Sequence, residues 1–196
     1  MSRFLSLSVL ISAVLLQVSC ALSPQQITIK PEITVPVASY GNGQEINVRV
    51  EDQRTSAVIG TRGGVYGDTS TIEIGNDAKT EIAYAVSNGL ARWGFKTQVN
   101  GASGDVTQVV VTLTGLSYTP DPDSNQAING QILIKSAVSV EVKQGGRSYH
   151  GSYEASREMG YVTMPSEEKN NEQINQVLNL ALQKIFDDQA LIKFLQ

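Results

Sequence analysis

The chain has 196 residues, 17% of them charged and 41% hydrophobic, with a formal net charge of −4. That length and balance suit one globular domain with a sizeable core and exclude the high-charge, low-hydrophobicity class of disordered chains. Fifteen basic residues are scattered among 19 acidic ones, so no basic cluster offers a surface to nucleic acid or to anionic lipid.

The first twenty residues have the layout of a secretory signal: Arg3, an apolar-leaning run over residues 4–16, and the small-residue exit Val18-Ser19-Cys20-Ala21. The run is about 13 residues against the roughly 20 that a spanning helix needs, and no later segment comes closer. Cys20 is the only cysteine, so it has no partner for an internal disulfide. We read it as a lipid-bearing residue that becomes the first of the mature protein. Cleavage after Ala21 and a Cys20 packed in the core are the alternatives. The exit resembles a bacterial lipoprotein lipobox, with Val18, Ser19 and Cys20 matching and Gln17 standing where leucine is usual. Ala21 occupies the place where aspartate favours inner-membrane retention, which points to the outer membrane. Two or more acyl chains would make a stable anchor. The expected division is a signal over 1–19, a lipidated cysteine and tether over 20–26, and one domain over 27–196. Removing the signal takes Arg3 with it.

The alternation of Ile27, Ile29, Ile33, Val35 and Val37, broken by Pro31 and Pro36, predicts a sheet edge or an extended strap across the domain. Ile46, Val48 and Val50 predict a half-buried strand, followed by a glycine-rich loop over 60–67 and a possible strand over 69–74. Asn76 or Asp77 opens a helix whose apolar stripe is Ile82, Ala85, Val86, Gly89, Leu90 and Trp93, and Gly94 ends it. Strands are expected over 95–99 and 106–116, then a loop over 118–129. The longest strand signal runs through Ile132, Ile134, Val138, Val140 and Val142, and Gly145-Gly146 turns it back into a partner strand over 148–155. Ser166 opens a second helix with Ile174, Val177, Leu178, Ala181, Leu182, Ile185 and Phe186 on one side. Asp187 or Asp188 caps a last short one. The expected fold class is α+β: a largely antiparallel mixed sheet of four to six strands with two amphipathic helices packed on one face, plus a short C-terminal helix. The β-α-β opening adds one parallel pair.

Few residues invite chemistry. His150, the single histidine, stands on a predicted strand without a G-x-S-x-G elbow or another triad signature. Four zinc ligands are not available with Cys20 spent on the anchor. Asp121-Pro122-Asp123-Ser124-Asn125 matches only the first half of a calcium loop, with Gln126 and Ile132 where glycine and glutamate are needed. The loop over 60–67 lacks the G-K-[ST] ending of a phosphate-binding loop. No metal or cofactor is expected, and no catalytic residue. Asp52 and Arg54 share one face of a strand end at i, i+2, as a pair that holds the following loop or contacts a ligand. Glu51 and Asp52 are the carboxylates a glycan-acting enzyme would use, and the strap edge is what a self-assembling module would pair through.

Pro31-Glu32-Ile33-Thr34-Val35-Pro36, Val50-Glu51-Asp52-Gln53-Arg54-Thr55 and the closing stretch 188–195 together resemble the YajG-like family of bacterial lipoproteins. The resemblance implies an outer-membrane-anchored domain in the periplasm of a Gram-negative bacterium. It brings neither an established activity nor catalytic residues. A non-enzymatic binding or scaffold role is expected, with the membrane and an unidentified envelope protein or cell-wall component as partners.

Overall fold

Residues 23–62, 69–101, 104, 106–121 and 128–196 are described by a computed structural model of the chain, without the side chains of 128 and 129. The expected signal, Cys20 and the start of the expected tether lie outside the described residues. The elements in chain order are β1 (Gln25–Ile27), β2 (Glu45–Asp52), β3 (Val58–Thr61), β4 (Thr71–Ile74), α1 (Ala78–Arg92), β5 (Lys96–Val99), β6 (Thr107–Pro120), β7 (Ile128–Gln144), β8 (Arg147–Thr163), α2 (Glu167–Asp187) and α3 (Gln189–Leu195).

Among the described residues the strands form one mixed sheet of eight, more than the four to six expected. Strand β6 organises it. One edge of β6 is shared end to end: β2 runs parallel to its first half, Ile46 opposite Thr107 through Asp52 opposite Leu113. Strand β3 joins parallel at its far end, Gly60 opposite Tyr118. The other edge takes β7 antiparallel, and β8 follows antiparallel on β7. Strand β5 adds parallel to β2, β4 antiparallel to β3, and β1 parallel to β4. The expectation of a largely antiparallel sheet with one parallel pair is thus corrected, since four pairings are parallel. Short strands that attach after long excursions, such as β1 and β3, leave no hairpin signal in the sequence, whereas the β7–β8 hairpin announces itself by its glycine turn.

The long strands also extend further at one end than the sequence predicts. Strand β6 continues to Pro120, β7 starts at Ile128, and β8 reaches Thr163. Gly60 and Thr61 belong to β3 and not to a loop. A Cβ on Gly60 would stand 1.9 Å from the Tyr118 carbonyl oxygen, so the glycine is there because two backbones meet.

Helices α1 and α2 cover one face. Asp77 caps α1 by accepting from the Lys79 and Thr80 N–H groups, and Arg92 lies in its last turn, where the dipole favours a cation. Ile82, Ala83, Val86 and Leu90 are buried against the sheet, with Ala85 only half-buried. Ser166 caps α2 and Asp188 caps α3. The two long helices meet near their C-terminal ends, where Trp93 stacks edge-on between Tyr40 and Phe186, with ring centres 5.4 and 5.0 Å away. Gly89 makes room for Phe186, whose ring would lie 2.4 Å from a Cβ there.

The strand directions give the molecule two poles. At one lie the starts of β1, β4, β7 and α2 together with the ends of β3, β6 and β8. At the other lie the Gly145-Gly146 turn, the start of β6 and the end of α2.

Candidate functional site

The strap after β1 is held in a way the sequence reading missed. The backbone N–H groups of Thr28, Lys30, Glu32 and Thr34 donate to the side-chain oxygens of Asn171, Asn175, Asn179 and Gln183, at 2.8 to 3.0 Å. A longer contact of 3.4 Å adds Gln26 N–H to Glu167 Oε2. Every second residue of the strap therefore meets every fourth residue of α2. Four helical residues advance about 6.0 Å, and two residues of extended chain about 6.2 to 6.8 Å. The small mismatch accumulates toward the ends, where the longer side chains Glu167 and Gln183 stand, with asparagines between them. On the strap's other side Ile29 exchanges two hydrogen bonds with the Asn76 amide, at 2.8 and 2.9 Å. The edge expected to be open for self-pairing is thus occupied on both sides over residues 27–29. Ile27, Ile29 and Val35 are buried beneath it. Strand β1 starts at Gln25, inside the expected tether.

A buried polar chain fixes the root of the strap. Tyr118 Oη donates to Asn170 Oδ1 at 3.1 Å, and Asn170 Nδ2 donates to Gln25 Oε1 at 2.7 Å. Gln25 Nε2 reaches the Pro165 carbonyl at 3.5 Å. Burial pushes the Tyr118 phenol well above its ordinary range, against the opposing Asn170 hydrogen bond.

At the end of β2, Arg54 grips Asp52 through two parallel bonds, Nε to Oδ1 at 3.0 Å and Nη2 to Oδ2 at 2.7 Å. The Arg54 N–H also donates to Oδ1 at 3.0 Å, closing the turn. Side-chain exposure is 10% for Arg54 and 21% for Asp52, and Arg54 Nη1 is buried without a partner. Burial by itself would raise the Asp52 carboxyl. The hydrogen bonds and charge of Arg54, with Lys79 beyond, outweigh it and hold the group below the usual carboxylate range. The pair lines a cleft of about 360 Å³ with Asn76, Asp77 and Lys79, where two cations balance two anions. Glu51 is exposed while Asp52 is half-buried, and as neighbours in a strand they point to opposite sides of the sheet. They do not face each other across a cleft.

A larger cleft of about 710 Å³ lies where β6, β7 and β8 meet α2. Lys135, Glu154, Ser117, Ser156, Leu180 and Lys184 are among its lining. Lys184 Nζ donates to the Glu154 carbonyl, and Ser136 Oγ, also on the lining, is buried without a partner. Near the opposite pole, Tyr149 and Tyr153 both donate to Asp188 Oδ2, at 2.5 and 2.8 Å. The other oxygen of Asp188 caps α3 through Ala190 and Leu191. His150 is exposed on β8 opposite Glu141. The half calcium loop lies outside the described residues apart from Asp121, and so do residues 63–67 of the glycine-rich loop.

No curated protein matches the chain. Among solved structures, one from Xanthomonas campestris is similar at 11% identity and a TM-score of 0.45, covering 88% of this chain and 93% of that one. Rare lipoprotein B from Shewanella oneidensis is similar at 14% identity and a TM-score of 0.47, covering 76% of this chain and 96% of that one. A minor lipoprotein from Acinetobacter baumannii has 11% identity and a TM-score of 0.35, with 82% and 92% covered. The likeness is loose at these values. One family spans residues 31–196, nearly the whole domain, and it is described as uncharacterized lipoprotein. This chain belongs to that lipoprotein family.

Proposed function

We propose that the chain is a lipid-anchored lipoprotein of the bacterial envelope, held through an acylated Cys20 with its domain in the periplasm. It binds or scaffolds another envelope component and is not an enzyme. The lipoprotein family supports this, as does the signal layout ending in the single cysteine. The observation that carries the reading is the ladder of side-chain amides on α2, which grips the chain from Thr28 to Thr34. A domain held from its N-terminus needs that first stretch tied firmly into the body. No helix among the described residues is long and apolar enough to cross a membrane.

The finer assignment is the YajG-like branch carried by the Asp-Gln-Arg-Thr run over 52–55, at the outer membrane as Ala21 suggests. The cleft of Lys135, Glu154, Leu180 and Lys184 is the surface we assign to the envelope partner. Mass spectrometry of the mature N-terminus and membrane fractionation test the anchor. The expected result is an N-acylated, lipid-modified Cys20 in the outer-membrane fraction, and a Cys20→Ser protein released to the soluble fraction. An unmodified Cys20 in soluble periplasm overturns the reading.

A further inference from the structure

The geometry points to one pole of the domain as its membrane-facing end: the pole where Gln25, Asp121, Val162, Thr163 and Ser166 gather. We infer that this end rests against the lipid surface while the Gly145-Gly146 turn points away into the periplasm. The inference deepens the anchor reading above and rests on it.

The first premise is reach. Cys20 precedes Gln25 by five residues, and five residues of fully extended chain span at most about 18 Å. The second is that Gln25 is a fixed point. It is 5% exposed, and it is bound to Asn170 and to the Pro165 carbonyl at the start of α2. The ladder then fixes the residues that follow, so no slack can be drawn out of the body while it stays folded. The third premise is direction. Gln25 pairs with Ile72 at the start of β4, and Ile128 at the start of β7 pairs with Thr163 at the end of β8. These ends, and the cap of α2, all lie at the tethered pole.

Length decides how strongly the two poles differ. Ser148 and Val162 lie on the same strand, fourteen residues apart, or about 48 Å at the rise of an antiparallel strand. Val162 is three residues from Pro165, within about 11 Å of chain. A tether of about 18 Å keeps the Val162 end near the bilayer at every tilt. The Ser148 end comes close only if the molecule lies flat. Val162 is itself a large apolar side chain left 67% exposed. An apolar group there suits an interfacial position better than open water. Among the described residues the pole offers lipid no cluster of positive charge, with Glu167 and Glu168 at the start of α2. It is therefore held by the acyl chains and not by electrostatics.

The test uses the full lipidated chain. Acylation of Cys20 consumes the only native thiol, so Val162→Cys and Ser148→Cys each give a unique labelling site. Both positions are exposed and lie on the same face of β8. Each labelled protein is reconstituted into phosphatidylcholine vesicles that carry a headgroup-attached quencher, and vesicle flotation is measured on the same samples. The expected result is flotation of both proteins, with the Val162 label quenched several-fold more than the Ser148 label. Equal quenching, or stronger quenching at Ser148, in proteins that float overturns the orientation and leaves the anchor standing. Failure to float, with an unmodified Cys20, overturns the anchor reading and the orientation with it.

Discussion

At the scale of single residues, the Asp52–Arg54 pair and Gly60 carry the sharpest expectations. Removing the carboxylate leaves a guanidinium that is 10% exposed with nothing opposite it, and breaking such a pair costs about 3 kcal/mol. Asp52→Ala is therefore expected to lower the urea midpoint more than the double variant Asp52→Ala/Arg54→Met, which removes the stranded charge as well. The opposite order would mean that Arg54 is already satisfied elsewhere. Gly60 reads differently once the sheet is known. In the sequence it looks like the first residue of a flexible loop. In the fold a Cβ would sit 1.9 Å from the Tyr118 carbonyl, a backbone atom that cannot swing aside. Gly60→Ala should cost about 3 kcal/mol by forcing β3 away from β6. Gly104→Ala, with nothing within 4 Å, should stay within about 0.5 kcal/mol of the parent. Urea unfolding of both checks the contrast.

At the scale of elements, α2 does two jobs with two periodicities. Its apolar stripe, from Ile174 to Phe186, faces the sheet at the usual helical spacing. Its polar row, Glu167, Asn171, Asn175, Asn179 and Gln183, repeats every four residues and stands in for a neighbouring strand. If each rung contributes about 1 kcal/mol net, removing one speeds amide exchange at its donor about fivefold. Asn179→Ala should therefore accelerate exchange at Glu32 and leave Thr28, bound to Asn171, near its parent rate. Uniform acceleration along the strap would show that the rungs open together. Much of this fold was legible beforehand. The Ser166 cap, the other two caps to within one residue (Asn76 or Asp77, Asp187 or Asp188), the β7–β8 hairpin and the paired positions of Asp52 and Arg54 were all readable from local signals. The strap was readable from its prolines. What could not be read was nonlocal: β3 beside β6, β1 beside β4, and the clefts that these adjacencies shape. The polar row of α2 was present in the letters at a fixed spacing. It carried no legible meaning there because its partners lie about 145 residues away and nothing local marks an asparagine as an acceptor for distant backbone.

At the scale of the whole molecule, stability should fall at both ends of the pH range, and the causes sit at different places. The Asp52 carboxyl is held low by Arg54 against its own burial, and Asp77 is held low first by its hydrogen bond with Thr80. At Asp188 burial opposes and the two tyrosines with the α3 backbone prevail, so it too is held low. A carboxyl with a depressed folded pKa contributes stability that is complete above its unfolded value, near 4, and is lost as pH falls through the folded value. The phenols behave in the opposite sense. Burial raises Tyr118, Tyr149 and Tyr153, with Asp188 adding to the last two. Their contribution is intact below an unfolded pKa of about 10 and disappears as pH rises beyond it. Thermal melting across pH should thus show a plateau between about 5 and 9 with a fall on either side. Asp188→Asn should reduce the acid slope independently of Asp52→Asn, because Asp188 sits near the opposite pole with its own partners. Asp52 and Asp77 both feel Lys79, so their amide variants should not add. Additive slopes for Asp52→Asn and Asp77→Asn, or coupling between Asp52→Asn and Asp188→Asn, would contradict this arrangement of charges. On the alkaline side, Tyr153→Phe should shorten the fall by removing one ionisation, while leaving the acid fall of Asp52 and Asp77 in place.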